Sequence, residues 1–167
     1  PYMFDNLTIA TQNAALALYG MRRLRVGYTG AVFQLTRASD GASSDFYSDA
    51  KQTYITTNVN GAGTSIATWL NNTTATIGKV YDQSGGTNHL VSPSGSRLPP
   101  PIALVNGKYV MYFNSPTSST QTNTYALALT TAINVQQFFV NYNYFGTGNV
   151  DVIFGASLLI FQIDSIW

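Results

Sequence analysis

Hydrophobic and polar positions alternate with a period near two along most of this chain. Ala31-Val-Phe-Gln-Leu-Thr-Arg37 predicts a half-buried strand with Val32 or Phe33 and Leu35 turned inward. Ile77 to Tyr81 reads as a second strand, ended by Asp82-Gln-Ser-Gly-Gly. Ile102–Val105 and Lys108–Phe113 flank Asn106-Gly107, the strongest short hairpin signal in the sequence. Phe138 to Phe145, Asp151 to Gly155 and Leu158 to Ile163 continue the pattern. A helical period shows only over Ala14–Arg25, where Leu16, Tyr19 and Leu24 fall near one face. Thr11 or Asn13 is the expected cap, and Gly20 in the middle predicts a short helix. Ser65 to Leu70 fits a helical turn or a strand.

Between these runs lie turn compositions: Ser39 to Asp45, the polar stretch to about Asn60, the three prolines at 99–101, and the Ser/Thr/Gln/Asn loop Thr117 to Thr124. Many short strands separated by Gly, Asn and Ser predict an all-β antiparallel sandwich with one short N-terminal helix. No linker or repeat divides the 167 residues, so a single domain is expected. The first residue, Pro1, and the last, Trp167, suggest a piece of something longer.

Composition narrows the function. Charged residues are 9% of the chain, against a usual value of roughly 25%. The net charge of +1 gives no field to draw in nucleic acid. Arg22, Arg23 and Arg25 are expected to be a solvated helix end. No apolar run approaches the ~20 residues of a membrane span, and the start has no signal-peptide pattern. With no Cys there is no disulfide, thiol nucleophile or Cys-ligated zinc. A single His, His89, excludes a His-rich metal site, and no nucleophile elbow or phosphate loop accompanies it. No cofactor is expected. Asp40 and Asp45 with Ser43, or Asp82 with Asn88, are oxygen donors that a calcium ion could use, although turn chemistry explains the same residues.

All seven acids are Asp. Glycoside hydrolysis needs a carboxylate pair, and nothing in the Asp spacing singles one out. Sugar binding asks for less: Tyr142 and Tyr144 share one face of a strand and Asn141 and Asn143 the other, a pattern that suits a glycan or a protein partner.

Two segments together resemble a known family. The stretch Ala14-Ala-Leu-Ala-Leu-Tyr, then Arg25-Val-Gly-Tyr-Thr-Gly-Ala-Val-Phe-Gln-Leu-Thr-Arg-Ala-Ser-Asp-Gly-Ala-Ser-Ser-Asp, resembles the opening of the α-L-arabinofuranosidase B catalytic domain. The block Val80-Tyr-Asp-Gln-Ser-Gly-Gly-Thr-Asn-His-Leu is similar to that family's Tyr-Asp-Gln-Ser-Gly-x-Gly-Asn-His-Leu, and Val105-Asn-Gly-Lys-Tyr to a strand pair downstream. The resemblance covers roughly residues 13 to 115. It implies a concanavalin-A-like jelly roll, whose last strands are expected beyond Trp167, with the open sheet edge completed by the same protein or a neighbour.

The family's nucleophile is a Glu, which this chain lacks. Asp151 falls one residue from that position, and the second carboxylate aligns beyond Trp167. Domains of this signature also recur in structural proteins of large DNA viruses and phages. The leading expectation is therefore a non-catalytic module of a virion, as a capsid, spike or fibre component. It would be found in the virion or on an extracellular surface, packed against other protein subunits and with affinity for glycans. The alternatives are a carbohydrate-active enzyme whose acids are Asp82, Asp151 or Asp164, and a cellular glycan-binding module. Under the leading expectation the loop Tyr81, Asp82, Gln83, Ser84, Gly85, Gly86, Asn88 and His89 has a structural role. Asp82 would cap the turn, Gly85 and Gly86 would take positive φ, and Asn88 would bond across the loop.

Overall fold

The computed structural model describes Tyr2, residues 4–48, 54–56, 63–92, 98–113 and 125–134, and the strands Gly155–Ala156 and Leu159–Ile160. The architecture is all-β and antiparallel, a sandwich with short helices. Strands β1 (Phe33–Arg37), β2 (Ser43–Ser48), β3 (Tyr54–Ile55), β4 (Ala75–Val80), β5 (Leu90–Val91) and β8 (Ala128–Leu129) form a sheet in the order β3-β2-β1-β4-β5-β8. Strands β6 (Ile102–Val105) and β7 (Lys108–Met111) make a separate hairpin, as do β9 (Gly155–Ala156) and β10 (Leu159–Ile160). In the first hairpin Asn106 and Gly107 both have positive φ, 49° and 73°, the turn geometry that matches the twist of the flanking strands.

The period of two separates the sheet's faces. Phe33 and Leu35 of β1, Phe46 of β2, Tyr54 of β3, and Ala75, Ile77 and Val80 of β4 turn to one side and are buried together. Tyr109, Met111 and Ile102 of the hairpin pack against this cluster. The Tyr54 and Tyr109 rings meet edge-on at 6.3 Å, and the Thr76–Pro101 bridge ties the hairpin to β4. Helix α2 (Ile66–Leu70) closes the core with Ile66 and with Trp69, whose ring stands edge-on to Phe46 at 5.3 Å. Its cap is Ser65, which accepts a hydrogen bond from the Thr68 N–H.

Two elements differ from expectation. Helix α1 spans Ile9–Ala14, capped by Thr8, and residues 15–25 form an irregular strap instead of a helix. The cause is tertiary: the strap's backbone groups are taken by Asp82 and Gln83. Leu18 N–H donates to Asp82 Oδ1 at 3.0 Å, Leu24 N–H to Gln83 Oε1 at 2.9 Å, and Gln83 Nε2 donates to the Arg22 carbonyl at 2.8 Å. With Gly20 lowering helix propensity, these bonds outcompete the helical ladder; Leu24 is buried while Leu16 is exposed. The second difference is β2, which begins at Ser43 inside the expected Ser39–Asp45 turn. Phe46, paired with Phe33 of β1, and Ser48, paired with Tyr54 of β3, are buried, which holds this polar segment in the sheet.

Candidate functional site

The face of the sheet opposite the core is polar. The register sets Asp45 of β2 beside Gln34 of β1, and Gln34 beside Lys79 of β4, so carboxylate, amide and ammonium occupy one row across three strands. Thr36 and Ser43 form the next row, their hydroxyls 3.0 Å apart. A bulge between Gln34 and Leu35 leaves Gly78 as the extra residue of β4, so that Ile77 returns to the core and Lys79 stays on the polar side.

Tyr81, just past β4, completes the row. Its hydroxyl donates to Asp45 Oδ1 at 2.8 Å, and Gln34 Nε2 donates to the same oxygen at 2.9 Å. No donor among the described residues reaches Asp45 Oδ2. The Lys79 ammonium lies 5.2 Å from the Tyr81 ring centroid, and His89 stands edge-on to that ring at 5.0 Å. Burial raises the Tyr81 phenol above its ordinary range, and the hydrogen bond to ionised Asp45 raises it further. Tyr28 is pushed up to about 12, first by burial and then by the negative charge of Asp82. Its hydroxyl donates to the Ala31 carbonyl at 2.6 Å. Together these groups make an aromatic, hydrogen-bonding floor around one carboxylate.

The adjoining loop 81–89 carries the floor's end. Asp82 is buried: its Oδ1 accepts from Leu18 N–H and, at 2.9 Å, from Ser84 N–H, while its own N–H donates to His89 Nδ1 at 3.1 Å. That last bond makes Nδ1 the acceptor and leaves the ring proton on Nε2. Asp82 Oδ2 is buried with no hydrogen-bond partner among the described residues. Gln83 is fully buried and grips the strap. Arg25 donates to the Ser84 carbonyl at 2.9 Å, and Tyr19 donates to the Asn88 carbonyl. The Asn88 side chain spans to the chain after β8, donating to the Thr131 carbonyl at 2.8 Å and accepting from Thr131 N–H at 2.9 Å. Gly85 has φ 106°, whereas Gly86 is not among the positive-φ residues.

The structure thus gathers Tyr81 and His89 with Asp45, and turns Asp82, Gln83 and Asn88 toward backbone. Asp40 pairs with Arg37 at 2.6 Å, and Asp45 Oδ1 and the Asn88 side-chain oxygen accept from protein donors. No group of three or more His or Asp residues fit to hold a metal occurs among the described residues. Tyr142, Tyr144, Asn141, Asn143, Asp151 and Asp164 lie outside the described residues. Sequence reasoning weighed Asp45 only as a calcium donor and did not pick out Gln34, Lys79 or Tyr28. The available signal was the alternation itself, which puts Gln34 and Asp45 on the faces opposite Leu35 and Phe46.

A polar sheet face of tyrosine, amide and carboxylate over an antiparallel core defines the class: an all-β sandwich domain. The family model "Alpha-L-arabinofuranosidase B, catalytic" matches residues 9–140, and the chain belongs to that family. Among solved structures, an arabinofuranosidase complexed with arabinofuranosyl-alpha-1,2-xylobiose is 28% identical, over 60% of this chain and 23% of that one, with a TM-score of 0.40. A GH54 α-L-arabinofuranosidase soaked with a cyclic sulfate inhibitor is 27% identical, over 57% and 22% of the two chains, with a TM-score of 0.37. The chain therefore spans less than a quarter of the length of either. No curated protein matches.

The family match corrects two expectations. The chain belongs to a catalytic-domain family, which overturns the reading as a non-catalytic virion module and the conclusion that it is not an enzyme; nothing in the comparisons points to a capsid, spike or fibre. The absence of Glu is no argument against membership of that family. Asp carries the same carboxylate on a shorter stem. Among the described residues no helix is long and apolar enough to cross a membrane.

Proposed function

We propose that this chain is part of a carbohydrate-active domain of the arabinofuranosidase type, which releases arabinofuranosyl groups from glycans outside the cell. The polar sheet face is its sugar-facing surface. The observation that carries this reading is the convergence of Tyr81, Gln34 and Asp45 on one face, within a chain of this family. A furanose ring offers an apolar face and several hydroxyls, and the site offers a tyrosine ring beside an acceptor carboxylate and donor amide. Lys79 adds a cation over the ring. The chemistry requires only carboxylates and water, so no metal or cofactor is invoked. The short edge strand β8 is paired with β5 alone among the described strands, and in this reading a further strand of the protein or of a neighbour covers it.

The test is incubation with 4-nitrophenyl α-L-arabinofuranoside across pH 4 to 8. An arabinofuranosyl oligosaccharide titration, followed by amide chemical shifts of residues 34, 45, 79 and 81, accompanies it. Nitrophenolate release with shifts confined to that face is expected. No release and no shifts would refute the reading.

A further inference from the structure

We propose that Lys79 anchors a carboxylate of the bound glycan, so that the polar sheet face selects glycans carrying a uronic acid unit. The inference rests on the function proposed above and names the substrate class of the same site.

Lys79 stands half-buried in the middle of the polar row, its ammonium over the Tyr81 ring. No carboxylate pairs with it among the described residues. Arg37, by contrast, is neutralised by Asp40, and Arg23 and Arg25 direct their donors to backbone carbonyls. Asp45 shares the row with Lys79 but lies two strands away, roughly 10 Å between backbones. Its Oδ1 accepts from Gln34 and Tyr81, not from the ammonium. A cation held partly out of water gains more from a counter-ion than a fully solvated one does, and a ligand carboxylate would supply it.

The surroundings of Lys79 have the shape of a sugar's own polarity. The register carries the row on from Lys79 to Val91 of β5 and then to Ala128 of β8. Directly paired residues share a face, so the ammonium has an amide on one side and two small apolar side chains on the other. Beside it the bulge leaves Gly78 without a side chain. A Cβ there would lie 3.3 Å from both Gln34 Oε1 and Thr36 Oγ1, so an acceptor and a hydroxyl face the gap. Gln34 Nε2 donates to Asp45, and that bond fixes the amide with Oε1 as the acceptor on the side of Gly78. A uronate matches this set: its carboxylate meets the ammonium, a ring hydroxyl donates to Gln34 Oε1, and its C–H face covers Val91 and Ala128. One ammonium with no second cation in the row suits a single negative charge, which a phosphomonoester exceeds.

Calorimetric titration of the whole chain compares two probes. One is an arabinofuranosyl oligosaccharide bearing one glucuronic acid unit; the other is the same oligosaccharide with that carboxylate reduced to the alcohol. The acidic probe is expected to bind roughly five- to tenfold tighter, by a margin that narrows as salt is raised. The two probes should differ most in the amide chemical shifts of residues 78, 79 and 91. Lys79→Met keeps the apolar stem and removes the charge, and, with folding checked by near-ultraviolet circular dichroism, it should bind both probes alike. Equal affinity of the parent for the two probes overturns the proposal. So does a preference that survives in folded Lys79→Met, or a shift difference centred elsewhere. If neither probe binds the parent, the function proposed above fails, and this assignment with it.

Discussion

Gln83 shows how much one side chain decides. Its amide is fully buried and meets three backbone groups of the strap: the Leu24 N–H, the Arg22 carbonyl and, at 3.4 Å, the Gly20 carbonyl. Replacing it with Leu strands those groups away from water, each at about 1–3 kcal/mol. We expect Gln83→Leu to lower stability by about 3 kcal/mol, read as a fall in the urea midpoint; an unchanged midpoint would show that the strap holds without it. Gly86 acts through space. A Cβ there would sit 2.7 Å from Asp82 Oδ2, and Asp82 cannot yield because its other oxygen is fixed twice. Gly86→Ala should therefore cost about 1–3 kcal/mol, while Asp82→Ala in the same background should soften that penalty in a double-mutant cycle.

At the scale of elements, local chemistry and tertiary packing contribute separately. Helix α2 has one turn and little intrinsic stability, so its Ser65 cap and the core contacts of Ile66 and Trp69 sustain it. Ser65→Ala should remove about 1 kcal/mol, measurable by thermal denaturation. The β6–β7 turn depends on left-handed backbone at Asn106 and Gly107. Gly107→Val should weaken the hairpin by at least about 1 kcal/mol, with the amide protons of Ala103 and Val110, a hydrogen-bonded pair of its ladder, exchanging faster than in the parent. Equal exchange rates would mean that core packing of Tyr109 and Met111 alone sets the hairpin.

For the whole molecule, titration follows from the buried phenols and the surface ion pair. Tyr19 and Tyr28 are raised from 10.0 to about 12, chiefly by burial, with Asp82's charge adding to it. A phenol that ionises later in the folded state than in the unfolded one stabilises the fold below pH 10. That contribution is lost as pH rises from 10 toward 12. Stability measured by denaturant should fall across that window, and absorbance titration should show a late-ionising class of tyrosines. At the acid end, the hydrogen bond from Arg37 holds Asp40 at about 2 instead of 3.8. Its contribution is present above pH 3.8 and fades as pH drops toward 2, a small effect that salt screens and Asp40→Asn abolishes.

The sequence by itself determined the elements whose signals are local. The alternation in Phe33–Arg37 and Ile77–Val80 and the Asn106-Gly107 turn need no distant partner to be read, and the Tyr-Asp-Gln-Ser-Gly block carried the family. The fate of residues 15–25 was not legible. Their apolar spacing fits a helix, but side chains some 60 positions away, Asp82 and Gln83, take the backbone groups a helix would have paired. Asp45 was hidden for a related reason. On paper it ends a run of turn residues; only the pairing with β1 turns it beside Gln34 and under the Tyr81 hydroxyl. Period and turn chemistry act over a few residues and are written along the chain. Which carboxylate is sealed and which is left with an open oxygen depends on strands meeting across the sheet, and only the tertiary structure decides that.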